Sequence, residues 1–381
     1  MNTPLKVGFV LDDSLDTPDG VQQYILTLGT WLTKQGHEVH YLVGETSRRD
    51  IPNIHSLSHN VRVKFNGNRM STPLPVSRRN LRRFLAREQF DVLHVQMPYS
   101  PFMAQQVILA APQQTVVVGT FHIMPHTRTE FRANWLLGIL LRRSLKRFDA
   151  CFAVSVAARD FMQETFKVGA DVLPNVVDRT RFAKSAPRPE YDDKKLTIMF
   201  LGRLVPRKGC ATLLEATRIL KQKTNIPPFR VVICGKGPLD AELKQFVKDE
   251  LLEDLVTFTG FVSEEDKPSY VASADVMTFP SLGGESFGIV LIEAMASERP
   301  VVLAADNLGY HSVLGTNHDL LFPPGDPYEL AKKLAEYLRD SAAREKILSW
   351  QKRYVRQFDV AVVGEQLINT YNRLLQAKRK I

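Results

Sequence analysis

The feature that most constrains the fold is an alternation of strand-like and helix-like stretches, which runs along the 381 residues in two series. Short apolar runs alternate with longer stretches whose apolar residues recur at helical spacing. Such alternation is typical of α/β proteins with parallel sheets. In the first series we expect strands at residues 6–11, 38–43, 61–65, 92–95, 115–119, 150–154 and 170–173. In the second we expect strands at residues 196–201, 229–234, 256–258, 276–279, 301–303 and 320–322.

The two series are separated by residues 178–195, which contain prolines and several charges but no apolar period. We interpret this segment as an interdomain linker. The sequence therefore predicts two doubly wound, Rossmann-like domains, residues 1–182 and 190–358, with ligands bound in a crevice at the carboxyl ends of their strands. A last helical stretch, about residues 359–381, exceeds what the second domain needs, and we expect it to return to the first. The helices expected between the strands lie at residues 21–34, 77–87, 104–111, 133–146, 157–166, 208–222, 239–250, 264–272, 287–297 and 327–338.

The composition fits a soluble enzyme, because 44% of the residues are hydrophobic and no apolar run approaches the ~20 residues that a transmembrane helix requires. The chain leads directly into a strand, so we expect no signal peptide. Three scattered cysteines, Cys151, Cys210 and Cys234, indicate a reducing cytoplasm and neither a disulfide framework nor a zinc site. The net charge of +9 is compatible with anionic substrates, an anionic membrane surface or nucleic acid. Nucleic acid ranks last because no recognition motif accompanies the charge.

One stretch of the second series carries most of the candidate chemistry. Gly283 and Gly284 precede the expected start of a helix, where backbone amides and the helix dipole attract phosphates. Glu293 lies in the apolar run 287–296, and a buried carboxylate needs partners such as ligand hydroxyls. Glu285, beside the glycines, is a second carboxylate. An anion site with two carboxylates suits a sugar nucleotide, although a structural helix with one salt-bridged glutamate is the alternative.

The loop after the strand expected at residues 196–201 supplies cations for the same anion. Arg203 and Lys208 can contact one diphosphate from two sides, the arginine through a fork of donors and the lysine as a point charge. By itself, a basic loop between a strand and a helix is more often a solvated turn. Combined with the glycine-rich helix start, it predicts the second half of a phosphate clamp.

Two further loops of the second series are weaker candidates. The segment Gly235-Lys236-Gly237 is a partial dinucleotide fingerprint, which we interpret as a tight turn and not as evidence for NAD. The backbone after the strand at residues 256–258 could contact a base edge. Lys267 could contact the nucleotide, although a surface lysine is the alternative.

The first series offers a histidine and a basic helix. His122 follows the strand expected at residues 115–119, where a hydrogen-bonded loop histidine and a catalytic one are equally compatible with the position. The helix at residues 77–87 places four arginines on one face and apolar residues on another. That pattern fits either an interfacial helix on anionic lipid or a solvated helix face. The arginines are Arg78, Arg79, Arg82 and Arg83.

These motifs resemble those of the GT-B fold retaining glycosyltransferases of family four, over essentially the whole chain. The strongest match runs from Gly283 to Ala296, in which Glu285 and Glu293 form the family's E-x7-E signature. Within the family, the chain is most similar to the bacterial phosphatidyl-myo-inositol mannosyltransferases, which use GDP-mannose. The other matching segments are Gly202-Arg203, Pro206-Arg207-Lys208-Gly209, Phe121-His122 and Pro174-Asn175-Val176-Val177-Asp178.

The resemblance implies a role for each matching residue. Glu285 would hold hydroxyls of the donor sugar, and Glu293 those of the ribose. The implied catalytic residues are Arg203 and Lys208, which would stabilise the departing diphosphate, with Glu285 and His122 beside the sugar. The implied donor-binding residues are Gly20, Arg203, Lys208, Val262, Lys267, Gly283, Gly284, Glu285, Ser286, Phe287, Gly288 and Glu293. The implied acceptor-binding residues are Gln22, Asn66, Tyr99 and Arg207.

The resemblance also implies the reaction, a transfer of mannose from GDP-mannose, with retention, to a hydroxyl of a membrane lipid such as phosphatidylinositol. It implies no cofactor besides the nucleotide-sugar donor, no metal, and a monomer with no nucleic-acid partner. The arginine helix would dock on anionic phospholipid at the inner, cytoplasmic face of the bacterial membrane.

Two residues depart from the family pattern. Asp19 stands where the family has a glycine, and Tyr99 stands where it has an asparagine for the inositol ring. Tyrosine lacks the paired donor and acceptor of an asparagine. Transfer to another glycolipid or a polysaccharide, a sugar-nucleotide epimerase on the same fold, and a non-catalytic binding protein therefore stay open as alternatives.

Overall fold

The structure, a computed structural model, describes residues 3–17, 19–65, 68–122 and 128–380, without the side chains of residues 62–65, 68–72 and 128–131. The chain divides into two compact units. The first unit combines Met1–Val176 with Val360–Ile381, and the second is Val177–Asp359.

The first unit is built on a parallel sheet. Its strands, as far as the structure describes them, are β1 (Lys6–Leu11), β2 (Glu38–Val43), β3 (Ile54–Ser56), β4 (Asn60–Phe65), β5 (Asn68–Pro73), β6 (Val92–Gln96), β7 (Val116–Phe121), β8 (Ala150–Ala153) and β9 (Asp171–Val172). The sheet has the order β3-β2-β1-β6-β7-β8-β9, so the strand order reverses between β1 and β6, as in doubly wound sheets. The strand expected at residues 61–65 forms, but it pairs with β5 in a separate antiparallel hairpin.

Helices cover this sheet. The first six are α1 (Gly20–Lys34), α2 (Arg78–Glu88), α3 (Met103–Ala110), α4 (Arg128–Leu140), α5 (Arg142–Leu145) and α6 (Val156–Phe166). The single helix expected at residues 133–146 is wrong, because Leu141 leaves the helical backbone at φ −89° and ψ 2°. This break lets Leu141 and Leu145 bury their side chains in one cluster with Phe161 and Phe166.

The second unit contains the second parallel sheet. Its strands are β10 (Leu196–Leu201), β11 (Phe229–Cys234), β12 (Val256–Gly260), β13 (Val276–Phe279), β14 (Val301–Ala305) and β15 (Leu321–Phe322). Its helices are α7 (Arg179–Ala183), α8 (Cys210–Lys221), α9 (Asp240–Asp249), α10 (Lys267–Ala272), α11 (Ile289–Ala296), α12 (Leu308–Leu314), α13 (Pro327–Arg339) and α14 (Ser341–Tyr354). Short 3₁₀ turns lie at Pro189–Tyr191, Pro206–Lys208, His318–Leu320 and Val355–Phe358.

The strand order of the second sheet is β12-β11-β10-β13-β14-β15, which again reverses at its centre. All residues of β13 and β14 are buried, as expected for parallel strands with helices on both faces. The six strands expected from the sequence are confirmed in place, with shifts of one or two residues at some ends.

The linker expected at residues 178–195 is wrong in its first part. Asp178 accepts a hydrogen bond from the amide of Arg181 at 3.0 Å and so caps α7. The helix buries Phe182 and packs on α10 and α11. The boundary expected after residue 182 therefore falls inside a helix of the second unit, because this helix is too short to show an apolar period in the sequence.

The last helix, α15 (Val360–Arg379), belongs to the first unit and packs on α1. A Cβ atom at Gly364 would lie 2.4 Å from the Trp31 ring, so glycine lets the two helices approach closely. Farther along, Tyr371 Oη lies 2.6 Å from Nδ1 of the buried His94. In the described ranges, no helix combines the length and apolar character that a membrane span requires.

His94 predicts a pH dependence of stability. Burial, assisted by the nearby His122, lowers the pKa of His94 to about 3, whereas an unfolded histidine has a pKa of about 6.5. Between those two pH values, His94 binds a proton in the unfolded state but not in the folded state. The free energy of unfolding is therefore not reduced by His94 above pH 6.5, and it decreases as the pH falls below 6.5. We expect the unfolding temperature to drop between pH 7 and pH 5, and His94→Gln to make that drop smaller. An equal drop in both proteins would contradict this origin.

Candidate functional site

The carboxyl ends of β10 and β13 lie side by side where the strand order of the second sheet reverses. The loops after these strands contact each other: the amide of Leu282 donates to the carbonyl of Arg207 at 2.8 Å. Gly209 has a φ of 68°, and a Cβ atom there would lie 1.9 Å from the Pro280 carbonyl oxygen, so only glycine fits. The topology thus joins the two loops at the place where doubly wound sheets bind ligands.

Both loops contribute to a charged group that we call the cation cluster, consisting of Arg203, Arg207 and Lys208. Oε1 of Glu285 accepts hydrogen bonds from Arg207 and from Lys208, each at 2.8 Å. Ser281 Oγ donates to the same oxygen at 2.8 Å. Arg203 adds a third positive charge near Lys208 and has no carboxylate partner among the described residues. Three cations around one carboxylate leave excess positive charge, which suits an anion such as a diphosphate.

The charges of this group follow from burial and from the ion pairs. Burial by itself would raise the pKa of Glu285, but Lys208 and Arg207 outweigh it and lower the pKa, so the carboxylate is ionised at neutral pH. Burial lowers the pKa of Lys208, and Glu285 opposes that effect. The family resemblance assigns Arg207 to the acceptor, whereas in the structure its guanidinium contacts Glu285.

The helix after the paired glycines begins later than expected. The apolar run predicts that the helix begins at Phe287, but α11 begins at Ile289. Gly284 and Gly288 both have left-handed φ angles, 69° and 100°, so the chain turns twice before the helix. Between them Phe287 is buried and packs edge-on against Phe358 at 5.7 Å. The amides that helix geometry leaves without i−4 partners are therefore those of the first turn of α11, which begins five residues beyond Gly284.

Glu293 lies on α11 with 6% of its surface exposed. Its Oε1 accepts a hydrogen bond from Lys267 Nζ at 2.8 Å, and Lys267 also pairs with Glu264 at 2.7 Å. Burial raises the pKa of Glu293, against the attraction of Lys267. Oε2 of Glu293 has no hydrogen-bond partner among the described residues. Because a buried oxygen of this kind is costly, a ligand hydroxyl is a fitting partner.

The remaining donor candidates surround these two groups. Val262, Gly283 and Ser286 are partly exposed on loops of the second unit. The segment Gly235-Lys236-Gly237 behaves as a tight turn, since a Cβ atom at Gly237 would lie 2.2 Å from the Leu204 carbonyl oxygen. Those glycines therefore let the loop after β11 pack on the loop after β10, and no dinucleotide motif is required to explain them.

In the first unit, His122 directly follows β7. Its Nε2 atom lies 2.8 Å from Oε1 of Gln96, so the Nε2 proton is donated and Nδ1 is an acceptor. Its ring meets the Tyr24 ring edge-on at 5.1 Å. Burial lowers the pKa of His122 to about 3, which keeps the imidazole neutral at pH 7.

The expected acceptor residues of the first unit have different surroundings. Gln22 is buried, and its Nε2 donates to the Ser14 carbonyl at 3.1 Å. The Tyr99 ring packs against those of Phe121 and Phe166 at about 6 Å. Gly20 is exposed as the first residue of α1. Asn66 lies outside the described residues. The acceptor roles of these residues stay predictions.

Helix α2 separates its arginines from its apolar residues, as expected. Leu81 and Leu85 are buried in a core cluster, whereas the four arginines are exposed and form no ion pair with any described residue. They are Arg78, Arg79, Arg82 and Arg83. An exposed cationic face of this kind attracts anionic surfaces.

One group of three described side chains could hold a metal ion, namely His40, His55 and Glu88 in the first unit. Lys6 already pairs with Glu88 at 3.1 Å. His40 Nδ1 lies 2.7 Å from His55 Nε2, which is a hydrogen-bond distance. Lys6 also pairs with Glu38, which contacts His40, so we interpret the group as part of a hydrogen-bonded network that joins β1, β2, β3 and α2.

Comparisons with known proteins agree with this fold. The family model Glycosyltransferase Family 4 matches residues 18–181, and Glycosyl transferases group 1 matches residues 182–352. A phosphatidyl-myo-inositol mannosyltransferase of Mycolicibacterium smegmatis is 33% identical over 99% of this chain and 96% of its own length. The O-antigen chain mannosyltransferase RfbU of Salmonella typhimurium is 27% identical over 65% of this chain and 72% of its own. A solved glycosyltransferase from Rickettsia africae shares the fold with a TM-score of 0.76 at 17% identity, covering 98% of this chain and 99% of that one.

Two doubly wound units, with a cation cluster at the reversal point of the second sheet, define a glycosyltransferase of the GT-B fold. The chain belongs to glycosyltransferase family 4. The sequence identifies all three cations and both glutamates as site residues. It does not reveal that Arg207 and Lys208 pair with Glu285 or that Lys267 pairs with Glu293. No local pattern could reveal these pairs, because their members are 26 or more residues apart.

Proposed function

We propose that the protein transfers mannose from GDP-mannose to a hydroxyl group of phosphatidylinositol, with retention at the anomeric carbon. The observation that carries the proposal is the pairing of Glu285 with Arg207 and Lys208 at the reversal point of the second sheet. A diphosphate can bind the cation cluster while an attached sugar meets the carboxylate. The name of the Mycolicibacterium relative supports the choice of sugar and lipid.

In the proposed reaction, the bond between the anomeric carbon and the diphosphate oxygen breaks, and negative charge grows on the leaving GDP. The oxygen of the acceptor hydroxyl forms the new bond to the anomeric carbon on the same face, and its proton passes to the leaving diphosphate. Arg203 and Lys208 stabilise that negative charge, together with the positive end of the α11 dipole. Glu285, held in place by Arg207, accepts hydrogen bonds from sugar hydroxyls. The unpaired Oε2 of Glu293 accepts one from the ribose. The nucleotide sugar is the donor substrate, and the proposed reaction needs no further cofactor.

Because the proposed acceptor is a membrane lipid, the enzyme must bind at a membrane surface to reach it. We propose that the protein acts as a monomer bound peripherally to the inner face of the cell membrane, where the exposed arginines of α2 meet anionic phospholipid. Such attraction falls with rising salt concentration because it is a long-range charge effect.

A donor screen and a transfer assay test the proposal. We expect GDP-mannose to raise the unfolding temperature more than UDP- or ADP-sugars do, because a ligand at a hundred times its Kd stabilises the folded state by about 2.7 kcal/mol. Radiolabelled mannose should then appear in phosphatidylinositol supplied in vesicles. Stabilisation by UDP-glucose alone would contradict the donor, and release of free sugar or an epimer without acceptor would contradict the transfer.

A second candidate acceptor is a polysaccharide or another glycolipid. It is favoured by Tyr99, whose ring packs on Phe121 and Phe166 and offers no amide to an inositol ring. The RfbU relative, an O-antigen chain mannosyltransferase by name, points the same way. Mannose transfer to a polysaccharide chain or another glycolipid, with none to phosphatidylinositol, would establish this alternative.

A further inference from the structure

Helix α4 exposes an unusual number of large apolar side chains. Four of them fall within six residues and lie 49%, 55%, 52% and 70% exposed, in chain order. Their spacing at i, i+1, i+4 and i+5 places them on one side of the helix. We call this surface the α4 apolar face, and it consists of Trp135, Leu136, Ile139 and Leu140.

The opposite side of α4 already packs against the protein. A Cβ atom at Gly138 would lie 3.0 Å from the Thr165 carbonyl oxygen, so α4 approaches α6 closely there. Leu137 and Leu141 join the buried cluster around Phe161. The helix is therefore apolar on both sides, but the protein covers only one of them. Helices that are apolar all round are normally buried, so the α4 apolar face calls for an external partner.

The position of α4 places this face on the same layer as the arginines of α2. Crossovers between parallel strands are right-handed, so connections that step from β6 to β9 put their helices on one face of the sheet. The connection from β3 to β6, which contains α2, steps across the sheet in the same direction. Helix α2 therefore lies on the same face of the sheet as α3, α4, α5 and α6. Packing follows the same order, because α2 contacts α3, α3 contacts α5, and α5 contacts α4. Helices α1 and α15 pack together on the other face.

The charged residues of the second half of α4 and of the turn and helix that follow it are all positive. The sequence from residue 132 to residue 146 contains no acidic residue. Its basic side chains are exposed, and they form no ion pair with any residue that the structure describes. They are Arg132, Arg142, Arg143 and Lys146. An apolar face with a rim of unpaired cations matches the interface of an anionic bilayer, in which acyl chains lie beneath negatively charged headgroups.

We propose that the α4 apolar face inserts into the headgroup and acyl boundary of an anionic phospholipid bilayer, as a second membrane contact besides α2. The arginines of α2 supply a charge attraction that salt screens, and α4 supplies an apolar contact that salt leaves intact. Two such signals give firmer binding than either alone. The inference rests on the proposed membrane acceptor for the choice of a bilayer as the partner.

The test is sedimentation of the full chain with vesicles of phosphatidylglycerol and phosphatidylcholine, at low salt and at 0.5 M salt. We expect the triple variant Leu136→Gln, Ile139→Gln and Leu140→Gln to bind at least about tenfold more weakly than the unchanged protein at high salt. The matched control is Leu251→Gln, in the second unit, because Leu251 is 72% exposed and lies far from the α4 sequence. It should bind like the unchanged protein at both salt concentrations.

A second readout uses Trp135 in the native helix. Phospholipids brominated on their acyl chains should quench part of the tryptophan fluorescence, and Trp135→Phe should remove that part. Vesicle binding that is equal in the triple variant and the control would overturn the proposal. So would a dimer in solution that the triple variant converts to monomer, since the face would then be a subunit interface.

The readouts separate this inference from the proposed function. Vesicle binding is measured without donor or acceptor, so it can support the α4 contact even where no sugar is transferred. Conversely, transfer to a short-chain, water-soluble phosphatidylinositol does not need insertion. If the triple variant keeps that activity but loses activity on vesicles, both proposals are supported. If the triple variant transfers sugar to both short-chain and vesicle phosphatidylinositol, and binds vesicles as tightly as the unchanged protein, only the α4 inference fails.

Discussion

Replacing Lys208 with methionine is expected to lower the turnover of sugar transfer by about a hundredfold to a thousandfold. The ammonium group is one of the three cations of the cluster, lies in a partly buried site, and pairs with Glu285 at 2.8 Å. Its charge is worth most where charge develops on the leaving diphosphate, so the loss should appear mainly in kcat. Steady-state kinetics with saturating donor would measure it.

Lys223→Met is the matched control for this substitution, because Lys223 is an exposed lysine of the same unit outside the site. Its kinetics should equal those of the unchanged protein. A Lys208→Met variant that loses donor affinity but keeps its turnover would show that Lys208 binds substrate and transition state equally, against the proposed role.

Replacing Glu285 with glutamine is expected to reduce transfer by about a thousandfold, because the carboxylate that orients the donor sugar is gone. Affinity for GDP should stay equal or become tighter, since Arg207 and Lys208 lose the carboxylate that now neutralises them. This opposite response of binding and transfer distinguishes the residue from a structural one. Calorimetric titration with GDP and the transfer assay supply the two measurements.

Measuring the GDP affinity of Glu285→Gln at several salt concentrations gives a more specific test. A freed cation cluster should make GDP affinity depend more steeply on ionic strength than in the unchanged protein. If transfer and GDP affinity fall together, Glu285 supports the cluster structurally and the sugar-binding role is wrong. The unfolding temperature of the variant shows whether the loops stay ordered.

Local sequence patterns predict all strands of the second sheet, all strands of the first sheet except the three-residue β3, and the loops that carry the site. Parallel strands buried on two faces are apolar runs, and runs such as β10 and β11 were predicted with their observed bounds. The clamp between the loops after β10 and β13 was inferred from chemistry and family resemblance. The two loops meet because β10 and β13 are neighbours in the sheet, although they are distant in the sequence. Local sequence patterns do not determine which strands are neighbours.

The features that differ from the sequence-based predictions also have physical causes. The helix α11 starts late because Phe287, which looks like part of an apolar helix, is used in the core. Helix α7 is not predicted from the sequence, because five residues that are capped by one aspartate are too few to show a helical period. The pairing of Glu293 with Lys267 depends on the packing of α10 on α11, which periodicity cannot give.

The placement of α15 has a consequence for how the protein is made. The second unit is one continuous segment, whereas the first is completed only by a helix at the far end of the chain. Domains usually fold as units during synthesis, beginning with the N-terminal one. Here the surfaces of Trp31 and His94 that meet α15 stay uncovered while the whole second unit is translated. We therefore expect the two units to become native in the reverse of the order in which they leave the ribosome.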